Sequence, residues 1–170
     1  MIDLHEFESK FRENVQAVTT LVGSLTEAQM RWQPAEGTWS LLMVLCHLAD
    51  EERDDFRIRV DLTLHHPDTA WPPADPEAWV RERGYSERAP AAALADFLAE
   101  REISLAWIAG LANPNWENVY HHPRRDITAG DLMASWLAHD YLHLRQIVKL
   151  LYDFNVQHTQ PYDTGYAGAW

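Results

Sequence analysis

The stretch TAGDLMASWLAHDYLHLRQIVKLL, from Thr128 to Leu151, carries the clearest helical pattern of the chain. Thr128 and Asp131 fit a T-x-x-[DE] capping box, in which each side chain bonds the backbone N–H of the other residue where a helix begins. Apolar side chains then recur every three or four residues, which predicts a helix with a broad buried face. These side chains are Leu132, Met133, Trp136, Leu137, Leu144, Ile147, Val148 and Leu151.

Three earlier segments show the same apolar periodicity. The first predicted helix covers Asp3–Val22, and the second covers Leu41 to about Leu62 after Ser40, which is a good N-cap residue. The third predicted helix starts at Pro90, a favoured first helical residue, and ends at the break NPN that begins with Asn113. No segment shows a convincing strand pattern, so the sequence predicts an all-α fold, a four-helix bundle.

The connection between the second and third helices is unusually long. It contains some 25 residues, from His65 to Ala89, and is rich in proline. An antiparallel hairpin of two helices needs far fewer residues, whereas a link of this length can cross the bundle. We therefore expect these two helices to run parallel, in an up-down-down-up bundle. We expect one domain over residues 1–170, with an irregular C-terminal tail from about residue 153.

Composition excludes several classes of partner. The formal net charge of -12 disfavours binding to nucleic acid or to anionic membranes, because those partners require clustered Lys and Arg. The longest apolar run, from Trp39 to Cys46, is far shorter than the roughly 20 residues of a membrane span. The first residues also lack the basic start of a secretion signal. We therefore expect a cytoplasmic protein that acts on a small molecule.

Two histidines interrupt the apolar face of the last helix. His139 and His143 are four residues apart, so both project from the same side of the helix. A single histidine on such a face is most often a core residue with satisfied hydrogen bonds. Two buried imidazoles side by side compete for partners, however, and a divalent metal satisfies both of them. The spacing therefore indicates a metal site.

His47 on the second helix is the candidate for a third ligand. It lies seven residues after Ser40, whereas His139 and His143 lie 11 and 15 residues after Thr128. At 1.5 Å per residue, and with antiparallel helices about 33 Å long, His47 stands about 23 Å from the end where the last helix begins. The other two histidines stand about 16 and 22 Å from that end, so antiparallel packing would bring all three to a similar height.

These motifs together resemble the DinB superfamily of metal-binding four-helix bundles, over roughly Phe7 to Tyr152. The matching elements, in order, are W-x-P at Trp32–Pro34, Trp39-Ser40, His47-Leu48 with Glu51 one turn later, and H-x-x-x-H at His139 and His143. The resemblance implies an up-down-down-up bundle, often a homodimer, with the three histidines as ligands of zinc (our first choice), nickel or iron. It also implies an enzymatic activity, either that of a thiol S-transferase that uses a low-molecular-weight thiol or that of a thiol-dependent isomerase.

Three neutral ligands leave a divalent ion with its full charge and an open coordination position, as in catalytic zinc sites. Such an ion deprotonates a bound thiol or lowers the pKa of a bound water. The predicted function is a metal-dependent thiol S-transferase with a low-molecular-weight thiol as cosubstrate. The alternatives are a small metal-dependent hydrolase and a non-catalytic metal-binding bundle. Asp140 stands where a metalloprotease H-E-x-x-H motif would have glutamate, which argues against a peptidase.

Several nearby residues allow two interpretations each. Glu51 is either a partner or proton shuttle for His47, or the polar start of an exposed face. Asp140 is rotated about 100° from His139, where we expect either a solvated position or an ion pair. Cys46 is interpreted as a small buried packing residue. Arg124 and the residue that follows it could attract an anionic substrate, although surface ion pairs are the simpler interpretation.

Overall fold

The computed structural model describes residues 2–168 and Trp170. Four long helical rods form the frame and confirm the predicted four-helix bundle. The second rod is continuous from Leu41 to His65, and the short helices lie in the connections. In chain order the helices are α1 (Leu4–Val22), α2 (Glu27–Arg31), α3 (Leu41–Glu51), α4 (Arg57–His65), α5 (Pro76–Glu82), α6 (Pro90–Ala109) and α7 (Ala129–His158).

The predicted helix starts are confirmed by their caps. The Ser40 hydroxyl accepts a hydrogen bond from the backbone N–H of Met43 at the start of α3. Both halves of the capping box of Thr128 and Asp131 are formed at the start of α7. Pro90 occupies the first turn of α6. The caps satisfy backbone donors that have no partner inside the helix, and Pro90 removes one such donor, which is why short-range sequence patterns locate the helix starts well.

The expectation that the chain has no strand was wrong. Strands β1 (Val119–His122) and β2 (Arg125–Thr128) form an antiparallel hairpin, in which Val119 pairs with Thr128 and His122 with Arg125. Each strand has only four residues and none of them is fully buried. No apolar alternation therefore marks the strands in the sequence. The hairpin leads directly into α7 and so sets the point at which that helix begins.

The second rod contains a π-helical segment, Glu52–Phe56, between α3 and α4. A π turn inserts an extra residue into the helix, which rotates all later side chains relative to the earlier ones. Sequence periodicity predicted one regular helix here, because the segment contains no glycine or proline that would mark an interruption. At the other end of the chain, α7 continues to His158, beyond residue 153 where we expected the tail to begin.

Side-chain pairs give the directions of the helices. Three contacts join the second rod to α6: Arg53 meets Glu100, Arg57 meets Ser104, and Asp61 meets Trp107. The residue numbers rise together in both helices, so the two helices are parallel. In the same way α1 runs parallel to α7: Phe11 packs on Trp136, and Asn14 bonds Asp140. The second rod and α7 are antiparallel, since His47 meets His143 whereas the later Glu52 meets the earlier Trp136. These directions describe an up-down-down-up order.

Apolar side chains fill the bundle in two clusters. One lies between α3, α5, the start of α6 and the second half of α7, and the other lies between α1, α4, α6 and the first half of α7. Within the described residues, none of the helices combines the length and the hydropathy required of a membrane span. The histidine-bearing parts of α3 and α7 face each other inside this frame.

Candidate metal centre

The structure brings His47, His139 and His143 together. The Nε2 atom of His47 lies 3.3 Å from Nε2 of His139 and 3.1 Å from Nε2 of His143. The Nε2 atoms of the two α7 histidines are 3.0 Å apart. His47 is 5% exposed and the other two rings are half-buried. The i, i+4 spacing on α7 and the antiparallel packing of α3 therefore produce one cluster of three imidazole nitrogens.

The triangle of nitrogens fits a tetrahedral metal ion. Zn–N bonds of about 2.0–2.1 Å at tetrahedral angles place the nitrogens about 3.3 Å apart, close to the observed spacings. Among the described residues, these histidines form the one cluster of three or more potential metal ligands. The donor set therefore leaves a fourth position for a ligand from outside the chain, as expected of a catalytic site and not of a closed structural one.

Burial keeps the three rings neutral. Loss of hydration, with smaller effects from His143 and His139, lowers the pKa of His47 to about 2. Loss of hydration, followed by His143 and the Arg101 cation, lowers the pKa of His139 to about 3. Burial also lowers the pKa of His143. Neutral imidazole is the form that binds metal, so the centre is ready to take a cation without first releasing protons.

The opposite nitrogens of two rings face polar side chains. Nδ1 of His143 donates a hydrogen bond to Oε1 of Gln146 at 2.8 Å, which leaves the lone pair on Nε2. Nδ1 of His47 lies 3.7 Å from Oε1 of Glu51, too far for a hydrogen bond, and both atoms are buried without a partner. Such partners set the tautomer and orientation of metal-binding histidines. Sequence analysis did not identify Gln146 as a partner of His143, although its position three residues after His143 is a usable signal.

Glu51 lies behind His47, on the Nδ1 side of the ring. It is 5% exposed, which excludes the interpretation that it begins an exposed face. Burial, and secondarily the charge of Asp55, raises the pKa of Glu51 to about 8. Asp55 in turn pairs with Arg59 at 2.9 Å. The role of Glu51 as a partner or proton shuttle for His47 stays a prediction, and its position keeps it away from the Nε2 atoms.

Aromatic rings wall the centre. The ring of Trp39, which directly precedes the Ser40 cap, lies edge-on to His47 with centroids 4.9 Å apart. On the other side, Phe56 of the π-helical segment lies 5.1 Å from His139 and stacks on Trp136 at 5.8 Å. The extra residue of the π turn thus helps to place an apolar ring against a candidate ligand. These walls reduce the access of water and strengthen electrostatic interactions inside the site.

A buried ion network lies directly beneath the histidines. Arg101 of α6 is 0% exposed and donates two hydrogen bonds of 2.7 Å to Asp140 and one of 2.7 Å to Glu52. Asp140 also accepts from Asn14 at 3.1 Å, and Glu52 accepts from Trp136 at 2.7 Å. The network therefore joins α1, the π-helical segment, α6 and α7 just below the candidate metal centre.

This network corrects one interpretation and supplies what the sequence analysis missed. The solvated position considered for Asp140 was wrong, whereas the ion pair considered for it is confirmed. Sequence analysis did not single out Arg101, although it stands four residues from both Phe97 and Leu105, which are buried on α6. A charge at an apolar position of this kind is a signal of a buried partner. Cys46 is 2% exposed, and burial raises the pKa of its thiol to about 11, in keeping with a packing residue.

The buried rings predict that the metal-free protein loses stability in acid. All three folded-state pKa values lie below the ordinary histidine value of 6.5, where the unfolded chain takes up protons. Below pH 6.5 the unfolded state therefore binds more protons, and the free energy of unfolding falls by on the order of 1 kcal/mol per ring and pH unit. We expect a lower melting temperature at pH 5.5 than at pH 7.5, measured by circular dichroism.

Glu51 acts in the opposite direction and supplies a control. Its raised pKa means that the folded state binds more protons than the unfolded state between its ordinary 4.5 and about 8, so its contribution to stability decreases as pH rises. In Glu51→Gln the acid loss of stability should therefore be steeper. A variant with alanine in place of all three histidines should show a smaller loss. An unchanged pH dependence in that variant would contradict the assignment to these rings.

Comparisons with known proteins agree with this architecture. A model of the DinB superfamily matches residues 10–147. YfiT of Bacillus subtilis (strain 168), described as a candidate metal-dependent hydrolase, is 24% identical over an alignment of 152 residues, and the match covers 86% of this chain and 79% of that protein. A solved structure of Bacillus subtilis YfiT, described as a four-helix bundle of unusual topology, matches with a TM-score of 0.78 and 21% identity over 91% of both chains. The structural match confirms the fold.

Proposed function

Because this chain belongs to the DinB superfamily, we propose that it is a metal-dependent thiol S-transferase that activates a low-molecular-weight thiol at His47, His139 and His143. The observation that supports this proposal most directly is the convergence of three neutral Nε2 atoms within 3.3 Å of one another. Among the described residues the cluster includes no carboxylate or cysteine. The chain thus offers three ligands and leaves room for a fourth from a substrate.

The three histidines would hold the metal, with zinc as first choice and nickel or iron as alternatives. A bound divalent ion would supply a Lewis acid that lowers the pKa of a coordinated thiol. The chain contributes orientation: Gln146 holds the proton of His143 on Nδ1 and thereby keeps Nε2 available. It also limits water through the rings of Trp39 and Phe56. The electrophile would bind beside the open position.

The placement of the carboxylates favours a thiol over water as the nucleophile. Metalloproteases with the H-E-x-x-H motif use a glutamate as general base for the attacking water. Here Glu51 lies on the Nδ1 side of His47, and both oxygens of Asp140 accept hydrogen bonds from Arg101. Neither carboxylate is in position to take a proton next to the Nε2 atoms. A thiol, with an ordinary pKa near 8.5, needs less help than water, with a pKa near 15.7.

In the proposed reaction the thiol releases its S–H proton to solvent. A sulfur lone pair then forms a bond to an electrophilic carbon of the second substrate, and the leaving group departs with the electron pair of the bond that breaks. No oxidant or reductant is required. The three histidines would take up no proton in this step, because their Nε2 lone pairs would hold the metal.

Hydrolysis is the second candidate, supported by the description of the Bacillus subtilis relative as a candidate metal-dependent hydrolase. The same open position would then hold water as the nucleophile. The two functions differ in their cosubstrate, since only the transferase consumes a thiol in proportion to product. Assays with and without thiol, on ester and on alkyl halide reporters, therefore separate them.

Removal of the metal tests whether the centre is catalytic. The bundle buries two apolar clusters without help from a metal, so chelation should lower the melting temperature only modestly while eliminating thiol transfer. Restoring zinc, nickel or iron to the stripped protein should restore turnover, and the most active ion identifies the cofactor. The assay follows loss of free thiol in the presence of an electrophilic reporter, with His47→Ala as the inactive reference. Unfolding of the stripped protein, or thiol loss no faster than in that reference, would favour a structural metal.

A further inference from the structure

A groove of about 650 Å³ borders the histidine centre. Its lining includes Trp39, which packs on His47, and His143 with its partner Gln146. The groove therefore borders one candidate ligand, His143, and the Trp39 ring that packs on another candidate ligand, His47. A volume of this size accommodates a small molecule and falls within the range of ordinary ligand pockets.

The groove has apolar walls and a cationic side. Trp39, Leu142 and Trp170 contribute apolar surface, and Arg145 contributes a guanidinium. Arg145 follows His143 by two residues, so the two side chains leave α7 about 200° apart, and both line the groove. A ligand that fills the groove could thus contact Arg145 at one end while its other end approaches the histidines.

The charges of the groove favour an anion. Lys149 is held by Asp153 at 2.5 Å, so these two charges compensate each other. Arg145 is exposed, and none of the ion pairs formed by the described residues includes it. Among the described side chains that line the groove, Arg145 is consequently the one cation without a carboxylate partner, in a chain whose formal net charge is -12. A guanidinium recognises a carboxylate through two parallel hydrogen bonds.

We propose that this groove is a subsite for the carboxylate of a small organic substrate with an aromatic or apolar body, and that Arg145 selects for its charge. The proposal rests on the proposed function in that the reactive end of such a substrate would lie at the histidine centre. The carboxylate could belong to the thiol or to the electrophile, since both would pass through the same opening. Its recognition by Arg145 is the same in either case.

Direct binding tests the subsite without turnover. We would titrate the metal-loaded protein with benzoate and with benzamide, which has the same shape without the charge, and follow the fluorescence of the tryptophans that wall the groove. Arg145→Gln should weaken benzoate binding by about tenfold or more, because it removes a charge-assisted hydrogen-bond pair. The affinity of Arg145→Gln for benzamide should equal that of the parent protein. Any benzoate that binds the metal contributes equally to both proteins and cancels in the comparison.

Matched variants complete the experiment. Arg124→Gln removes an exposed arginine from the hairpin turn, outside the groove, and should leave benzoate affinity unchanged. Asp153→Asn releases Lys149 and should strengthen benzoate binding. Equal benzoate affinity in Arg145→Gln and the parent protein would overturn the proposal, as would an equal loss of benzamide affinity. Both readouts are independent of catalysis, so failure of the transferase assignment would leave their outcome intact.

If thiol transfer is found, the same variant identifies the source of the carboxylate. We would compare 3-mercaptopropionate with its amide as the thiol, and a chloronitrobenzoate with its amide as the electrophile. A rise in KM of Arg145→Gln confined to the charged thiol assigns the groove to the thiol. A rise confined to the charged electrophile assigns it to the electrophile. An equal rise for charged and uncharged members of both pairs would contradict charge selection by Arg145.

Discussion

Replacement of His139 by alanine should eliminate stoichiometric metal from the protein. The parent chain is expected to hold one divalent transition metal through the three Nε2 atoms, which lie 3.0 to 3.3 Å apart. Changes to partners that only orient a metal-bound histidine already cost about 10- to 100-fold in metal affinity. Loss of a ligand should therefore cost at least about 100-fold. Metal content after dialysis, measured by inductively coupled plasma mass spectrometry, gives the result directly.

His158 provides the matched control on the same helix. It is exposed near the end of α7, where it stacks on Phe154 with ring centroids 3.8 Å apart, and it lies outside the histidine cluster. His158→Ala should retain one equivalent of metal. If a variant with alanine at His47, His139 and His143 together also retains one equivalent, the metal site is elsewhere in the chain.

Replacement of Arg101 by methionine should have the largest effect on stability of any single change considered. Arg101 is 0% exposed and neutralises two carboxylates, Asp140 and Glu52, which are 4% and 1% exposed. Methionine fills similar space but leaves both carboxylates buried without a cation. Breaking a buried ion pair in this way costs about 3–5 kcal/mol. Urea denaturation should show a lower midpoint with an unchanged slope, because the same surface is exposed on unfolding.

A combined variant separates the effect of the two uncompensated carboxylates on stability from the effect of lost packing. Addition of Glu52→Gln and Asp140→Asn to Arg101→Met removes the stranded charges, so the combined variant should recover part of the lost stability. Arg81→Met changes a side chain that is 85% exposed and should alter stability by less than about 0.5 kcal/mol. A similarly small effect of Arg101→Met would show that the buried network contributes little to stability.

The same network connects the stability of the bundle to the candidate metal centre. Asp140 directly follows His139 on α7, and Glu52 is the first residue of the π-helical segment that carries Phe56 to the centre. Arg101 binds both carboxylates from α6. It thereby ties the two helices that supply the candidate ligands to a third helix. This arrangement gives the buried Arg101 cation two compensating carboxylates in an otherwise apolar part of the bundle.

The sequence by itself determined the helical frame and the composition of the candidate centre. Helix caps such as Ser40 and Thr128 act on neighbouring backbone groups, and the spacing of His139 and His143 places both on one helix face. Both effects operate within a few residues, so they can be recognised from the order of amino acids alone. His47 could be added because its distance from a helix start translates into a height in the bundle.

The tertiary structure alone decided which groups meet in the buried ion network. Arg101 lies 49 residues from Glu52 and 39 residues from Asp140, and no local pattern specifies these pairs. The π-helical segment and the short hairpin likewise have no periodic sequence signal of their own. Burial then turned an ordinary acidic residue, Glu51, into a carboxyl group with a raised pKa. Hydration and charge at a site depend on everything that surrounds it, and those surroundings exist only once the helices have assembled.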